Sequence, residues 1–260
     1  LVYRGCGSRS MVKNGDDRSS MKQDDWDTRT NDGEEYTSSI HQRTEELYRI
    51  PDSELDENDC VELSVLVLRD IVVFPRMISP IFVTPGSNLL AIQDAQYNFQ
   101  TMISLVQRDA DLETPSPEDL LPIGVELAVG RLLNMPDGNN SALVQGRRRF
   151  EVLEFTQIDP FFKVKARIVE EPGEVDRHTD ALMRTTRDLF ERCVQLDRSL
   201  PEEAHLFSLN IQEPGWLSDM VATAISLPFK ERQSLLLQLD PTERLKRVNW
   251  LLAQELDVLQ

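Results

Sequence analysis

The run Leu63-Ser64-Val65-Leu66-Val67-Leu68-Arg69-Asp70-Ile71-Val72-Val73-Phe74-Pro75 decides the architecture. With Val61 and Glu62 before it, apolar residues stand at 61, 63, 65 and 67 with Glu62 and Ser64 between them, the period of two that marks a half-buried strand. A second apolar run, Ile71–Phe74, is stopped by Pro75. Ile78 to Val83 is a third, and Pro80 inside it predicts a bend or an edge position, since proline has no N–H for a central ladder.

Further along, Ser87 opens a predicted helix with Leu89, Ile92, Ala95 and either Tyr97 or Phe99 inward. Met102–Val106 reads as a strand, and the acidic stretch around Pro115 and Pro117 as a loop. Val125, Leu127 and Val129 lead into Met135-Pro136-Asp137-Gly138-Asn139-Asn140, and Ala142–Val144 lead out. Pro-Asp-Gly is a turn: proline presets φ, aspartate bonds its own backbone, and glycine takes positive φ. Phe150 and Val152 share one face while Leu153 and Phe155 take the other, and that change of phase predicts a β-bulge in a strongly curved sheet. Phe162, Val164, Ala166 and Ile168 alternate with Lys163, Lys165 and Arg167. Residues 61–172 are therefore expected to form a curved, barrel-like β unit with one helix.

Beyond it the period becomes helical. From Glu174, Leu182, Leu189 and Leu196 recur every seven residues, with Thr186 and Cys193 filling the stripe. Glu202–Leu209 predicts a second helix; Leu217, Met220, Val221, Ala224 and Ile225 a third; and Pro228 to Leu237 a fourth. The last helix has Asp240 as N-cap, Pro241 at its first position and Glu243 closing a capping box, with an apolar stripe of Leu245, Val248, Leu252 and Leu259. A helical bundle over residues 173–260 follows, and the fold class is α+β.

Residues 1–60 contrast with both halves. They hold 8 Lys/Arg against 15 Asp/Glu, which makes −7 of the chain's −17. Such a segment buries too little apolar surface to offset its ordering entropy, so a disordered acidic tail is expected, with a short helix around Glu45–Arg49. Leu1–Cys6 has the pattern of neither a signal peptide nor a lipid anchor. The chain opens on Leu1, so either Met11 or Met21 is the start or the sequence is a piece of a longer one. No apolar run approaches the roughly 18 residues of a membrane span. Cys6, Cys60 and Cys193 are too far apart for a metal or redox motif, and an odd count fits a reducing, cytoplasmic setting.

The chemistry of turnover finds no foothold in these residues. His41, His178 and His205 lack the spacing of a zinc hydrolase, and no Gly-x-Ser-x-Gly elbow occurs. The six lysines follow Val, Met, Phe, Val, Phe and Leu, so no Gly-Lys step exists for a phosphate-binding loop. Acidic pairs such as Glu170-Glu171 and Glu202-Glu203 read as solvated faces. Arg147-Arg148-Arg149 and the stripe Lys163, Lys165 and Arg167 are the basic features, but no aromatic alternates with them on the same face and the chain is acidic, which disfavours nucleic acid. Neither a metal nor a cofactor is expected.

The run Leu68-Arg69-Asp70-Ile71-Val72-Val73-Phe74-Pro75, then Pro80-Ile81-Phe82-Val83, resembles the opening of the amino-terminal domain of the ATP-dependent Lon protease family. Similar in order are Pro117–Leu120, the strand at Gly124, Pro136-Asp137-Gly138 and the run from Gly146 to Arg149-Phe150. Pro214-Gly215 with Leu217 and Asp219, Gln233 with Leu235-Leu236, and Leu239-Asp240 with Arg244-Leu245 complete the resemblance over about residues 61–260. It implies a curved β unit and a helical bundle that engage client proteins and support hexamer assembly, upstream of an ATPase and a Ser–Lys protease module. The expected function is a non-catalytic module that recognises unfolded or degron-bearing proteins for ATP-dependent proteolysis and protein quality control, with homo-oligomers among its partners and no membrane. A stand-alone adaptor or receptor is the alternative. Client binding needs exposed apolar surface, and Phe74, Met77, Ile78, Phe161 and Phe162, beside prolines where strands end, are the candidates.

Overall fold

Strand β1 (Cys60–Leu68) has an apolar cluster on each of its faces, which departs from the half-buried strand that its alternation predicts. Leu63 and Val65 pack with Ile103, Leu105, Phe150 and Val164. Leu66 and Leu68 join a larger cluster that continues through Phe74, Ile92 and Val125 into the helices. A computed structural model describes residues 42–135, 138–171 and 175–259 of the chain.

Within it, β1 pairs in parallel with β3 (Met102–Val106), Val65 opposite Ile103, and antiparallel with β7 (Lys163–Ile168), Val61 opposite Ala166. The parallel pair needs a crossover, and helix α2 (Ser87–Tyr97) lies within it. β3 pairs with β4 (Ile123–Val129), β4 with β6 (Asn140–Gln157), and β6 with β7, so five strands close into a ring of pairings. The 18-residue β6 can serve both neighbours because its register shifts against β7 between Val152 and Glu154 and again between Phe155 and Gln157. These are the bulges that the change of phase after Val152 predicts. β2 (Ile78–Val83) and β5 (Leu133–Asn134) flank the start of β6, and β2 is the edge strand that Pro80 suits. At the turn before β6, Gly138 has φ 86° and donates its N–H to Met135 O at 3.0 Å; Pro136 and Asp137 lie outside the described residues.

Two inward placements need correction. α2 buries Ala91, Ile92 and Ala95, but Tyr97 and Phe99 are 85% and 87% exposed. The helix ends at Tyr97, and Phe99 adopts φ 54°, turning the chain towards β3 instead of adding another inward turn. In α3 (Arg177–Leu196) the buried stripe is Thr179, Met183, Thr186, Phe190, Cys193 and Val194. Leu182 and Leu189 flank it, and Leu196 is 45% exposed. A helix turns every 3.6 residues, so a repeat of seven drifts off the facing helix.

α3 starts at Arg177, where Asp176 caps it by accepting from the Thr179 N–H at 2.7 Å; Glu174 falls outside the described residues. α4 (Glu202–Leu209), α5 (Pro214–Ala224), α6 (Phe229–Leu237) and α7 (Pro241–Leu259) complete the helical half. α7 lies against α3, with Leu245, Val248, Leu252 and Leu256 buried and the Thr179 and Thr242 hydroxyls 2.9 Å apart. Asp240 caps α7 by accepting from Thr242 N–H (2.8 Å) and Glu243 N–H (3.3 Å). The return arm of the expected capping box is not made. The Asp240 N–H goes to Gln238 Oε1, and Glu243 pairs with Lys246.

From residue 42 onward the expected tail is part of the fold. Residues 42–48 are helical (α1), and Leu47 is fully buried. Residues 1–41, which carry the rest of that expectation, lie outside the described residues.

Candidate functional site

The three consecutive arginines of β6 point at three different places, and each is matched there. Arg147 donates to Leu47 O at 2.8 Å and Ile50 O at 3.1 Å. Arg148 donates to Glu126 at 2.8 Å and Ser53 O at 3.0 Å, while the Ser53 N–H reaches Glu126 at 2.8 Å. These two hold the segment after α1 against the sheet. Arg149 turns to the helices and meets Asp219 of α5 through both Nη1 (2.7 Å) and Nη2 (2.8 Å), with Glu171 at 3.2 Å. Arg244 of α7 completes the junction through Ser218 Oγ (2.9 Å), Asp219 (3.2 Å) and Glu171. Burial pushes the Arg149 guanidinium down, but Asp219 and then Glu171 outweigh it and hold it above its ordinary value. On β7, Lys163 pairs with Asp94 at 3.0 Å and Arg167 with Glu151 at 2.8 Å. The basic run is thus an internal clamp, a role that no local reading of three arginines could reveal.

The five apolar candidates do not form one surface. Phe74 is 1% exposed, so its ring belongs to the core and has no area to offer a client. Met77 packs against the larger cluster, and Ile78 is half-buried at the start of β2. Phe161 packs on the larger cluster and Phe162 on the smaller, where its ring meets Phe155 edge-on at 5.7 Å. Phe161 and Phe162 do share one cleft, together with Ile158 and the start of α2.

Exposed apolar surface is gathered elsewhere. Ser141 of β6 is opposite Phe82 of β2 on one side and Leu133 of β5 on the other. Residues directly opposed in antiparallel strands share a face, so Phe82, Ser141 and Leu133 form one row. The next row, Pro80 opposite Leu143, lies on the same face because the side-chain period is two. Phe82 is 74% exposed and Leu133 38%, whereas Ile81 and Val83 point into the core. The alternation within Pro80-Ile81-Phe82-Val83, once Pro80 marks an edge, is the signal that could have located this face. Among the described residues, no group of three or more His, Cys, Asp or Glu stands close enough to hold a metal ion.

Residues 62–254 match the family described as the ATP-dependent protease La (LON) substrate-binding domain. The chain is similar to Lon protease 2 of Herpetosiphon aurantiacus, 32% identical over 207 residues that make up 80% of this chain and 25% of that protein. It is 37% identical to the Lon protease of Azospirillum brasilense over 194 residues, 74% of this chain and 24% of the other. Its fold is similar to the N-terminal domain of the Mycobacterium avium complex Lon protease, with a TM-score of 0.62 and 23% identity over 76% of this chain and 98% of that one. A Lon N-terminal domain protein from Xanthomonas campestris gives a TM-score of 0.52 at 19% identity, covering 74% and 98%. The chain spans about a quarter of the length of the curated relatives it matches.

Proposed function

This chain belongs to the family of ATP-dependent protease La (LON) substrate-binding domains, and from that premise we propose that it captures unfolded or degron-bearing polypeptides for ATP-dependent proteolysis without turning them over itself. The observation that carries the reading is the outward row Phe82–Ser141–Leu133, extended by Pro80 and Leu143, beside a strand with one edge unpaired among the described residues. Grouped, uncovered apolar side chains on a soluble domain mark a place where another polypeptide docks. Unfolded segments are the partners whose apolar side chains are equally uncovered.

ATP hydrolysis and peptide-bond cleavage belong, in this reading, to ATPase and protease modules of a Lon-type machine. The relatives that contain a similar segment are Lon proteases about four times its matched length, which supports that division of labour. Assembly with further copies of the chain is part of the same proposal. So is a cytoplasmic setting, where the buried thiols Cys60 and Cys193 stay free. Among the described residues, no helix is long and apolar enough to cross a membrane.

The test is fluorescence anisotropy of a labelled, reduced and carboxymethylated lactalbumin titrated with the chain. Replacing Phe82 and Leu133 by Ser is expected to weaken capture about ten-fold or more, as loss of a central aromatic does at interfaces. The melting temperature is expected to stay within about 2 °C, because surface changes away from packed features are close to neutral. Undiminished capture by a folded double variant would overturn the reading.

A further inference from the structure

Helix α2 starts in the cleft of about 450 Å³ that Phe161 and Phe162 line, and its start is uncapped. Gly86 precedes the helix at φ 145°, no side chain among the described residues accepts from the first turn, and the first turn holds no acidic residue. Asn88, the nearest polar side chain, is engaged with the Val67 N–H (2.9 Å) and the Val67 carbonyl (2.8 Å). The Leu90 N–H donates to Gly86 O, which leaves the N–H groups of Ser87, Asn88 and Leu89 as donors of an 11-residue helix that are open among the described residues. Arg69 lines the same cleft.

Gln107 supplies an independent sign of a ligand. It lines the cleft, is 1% exposed, and its Nε2 donates to Leu112 O at 3.4 Å. Its Oε1 has no hydrogen-bond partner among the described residues. A buried acceptor without a donor is unfavourable until something provides one. The cleft therefore lacks an acceptor at the helix start and a donor at Gln107, and it has an apolar wall of Phe161, Phe162 and Ile158.

We propose that this cleft takes the C-terminal residue of a polypeptide. The terminal carboxylate sits at the N–H groups of Ser87 to Leu89 beside Arg69, where the helix dipole favours negative charge. The last peptide N–H donates to Gln107 Oε1, and an apolar final side chain lies against Phe161 and Ile158. Glu113 and Asp159, exposed residues lining the same cleft, repel a ligand with several negative charges, so one terminal carboxylate on an apolar residue is favoured over an acidic run. The inference rests on the reading that the chain binds polypeptides, and it names one end of them as a separate point of attachment.

The test titrates the full chain into a fluorescent ten-residue peptide ending in Phe, once with a free C-terminus and once amidated. The free acid is expected to bind about ten-fold more tightly. Ser87→Asp places a carboxylate of the chain's own in the first turn, which favours the helix and occupies its positive end. It is expected to bring the preference below about two-fold. Equal binding of the two peptides to the natural chain overturns the proposal, as does a full preference in Ser87→Asp. Displacement of the peptide by 3-phenylpropionate at the same concentration as unlabelled peptide overturns the polypeptide source. Capture of unfolded lactalbumin is measured alongside. If it persists while the C-terminal preference is absent, this inference alone fails; if lactalbumin is not captured at all, the functional reading fails with it.

Discussion

Arg149 of β6 and Asp219 of α5 face each other through hydrogen bonds of 2.7 and 2.8 Å with both side chains 2% exposed, joining the sheet to the helices. The pair is not symmetrical. Asp219 also lies 3.2 Å from Arg244, whose side chain is fully buried, so one carboxylate answers two buried guanidinium groups. Removing it leaves both with Glu171, which is 30% exposed on its side chain. Asp219→Ala is therefore expected to lower the unfolding free energy by about 3–5 kcal/mol, the cost of stranding buried charge. Arg149→Met leaves Asp219 with Arg244 and is expected to cost less. Urea unfolding of both variants checks the order; an Arg149→Met loss larger than that of Asp219→Ala would contradict it.

Leu47 tests whether the segment before the sheet is structural. It is fully buried, and Arg147 ties its carbonyl to β6. Leu47→Ala is expected to cost about 2–3 kcal/mol, in the range for a buried leucine, and to speed tryptic cleavage after Arg49. A change within a few tenths of a kcal/mol would mean that the segment contributes nothing.

These two cases show where reading the chain by itself stops. Short apolar runs with clear breakers were legible to the residue: Met102–Val106 is β3, and Glu202–Leu209 is α4. The edge role of Pro80 and the bulge after Val152 also followed from local chemistry. Arg149 was opaque because its partner stands 70 positions away, and charge alone names no partner. Leu47 was missed because Leu47, Tyr48 and Ile50, set in an acidic stretch, mark no sustained period; its burial comes from the sheet, not from its neighbours. Phe74 was misplaced for a related reason: it ends an apolar run beside a proline, and nothing local tells that its ring turns into the core. Phe82 could be placed only once the pairing of β2 with β6 showed which side of β2 faces out.

Gly146 is required by space. A Cβ built there would lie 2.2 Å from Phe74 O and 3.2 Å from Pro75 Cα, both backbone atoms. The turn through Phe74 and Pro75 is locked onto this point, since the Arg76 N–H donates to Gly146 O and the Gly146 N–H to Met77 O, each at 2.9 Å. Neither side can give way cheaply. Gly146→Ala is expected to cost about 3 kcal/mol, at the upper end of overpacking, and to lower the melting temperature by several degrees in calorimetry. An unchanged melting temperature would show that the turn can move aside.

Cys193 links the α3–α7 contact to alkaline pH. It is fully buried, with Sγ 3.8 Å from Leu252 O. Burial, then the nearby Glu255, push its thiol up from 9.0 to about 11, with Arg192 acting weakly the other way. The folded chain thus holds this proton more tightly than the unfolded chain does. Its contribution is complete below pH 9 and is lost as pH rises towards 11, because the unfolded thiol ionises first and draws the equilibrium to itself. Cys193→Ala is expected to flatten the fall in stability between pH 9 and pH 11 relative to the natural residue, with other alkaline titrations common to both. In a chain with Cys6 and Cys60 replaced by Ser, Ellman's reagent at pH 8 is expected to label Cys193 only as fast as the molecule opens, since thiolate and access are both withheld. Adding urea below the transition should then accelerate labelling in step with the unfolded fraction. Complete labelling within the mixing time in native buffer would mean that α3 and α7 part locally, and the proposed alkaline penalty would then belong to that opening instead of to global unfolding.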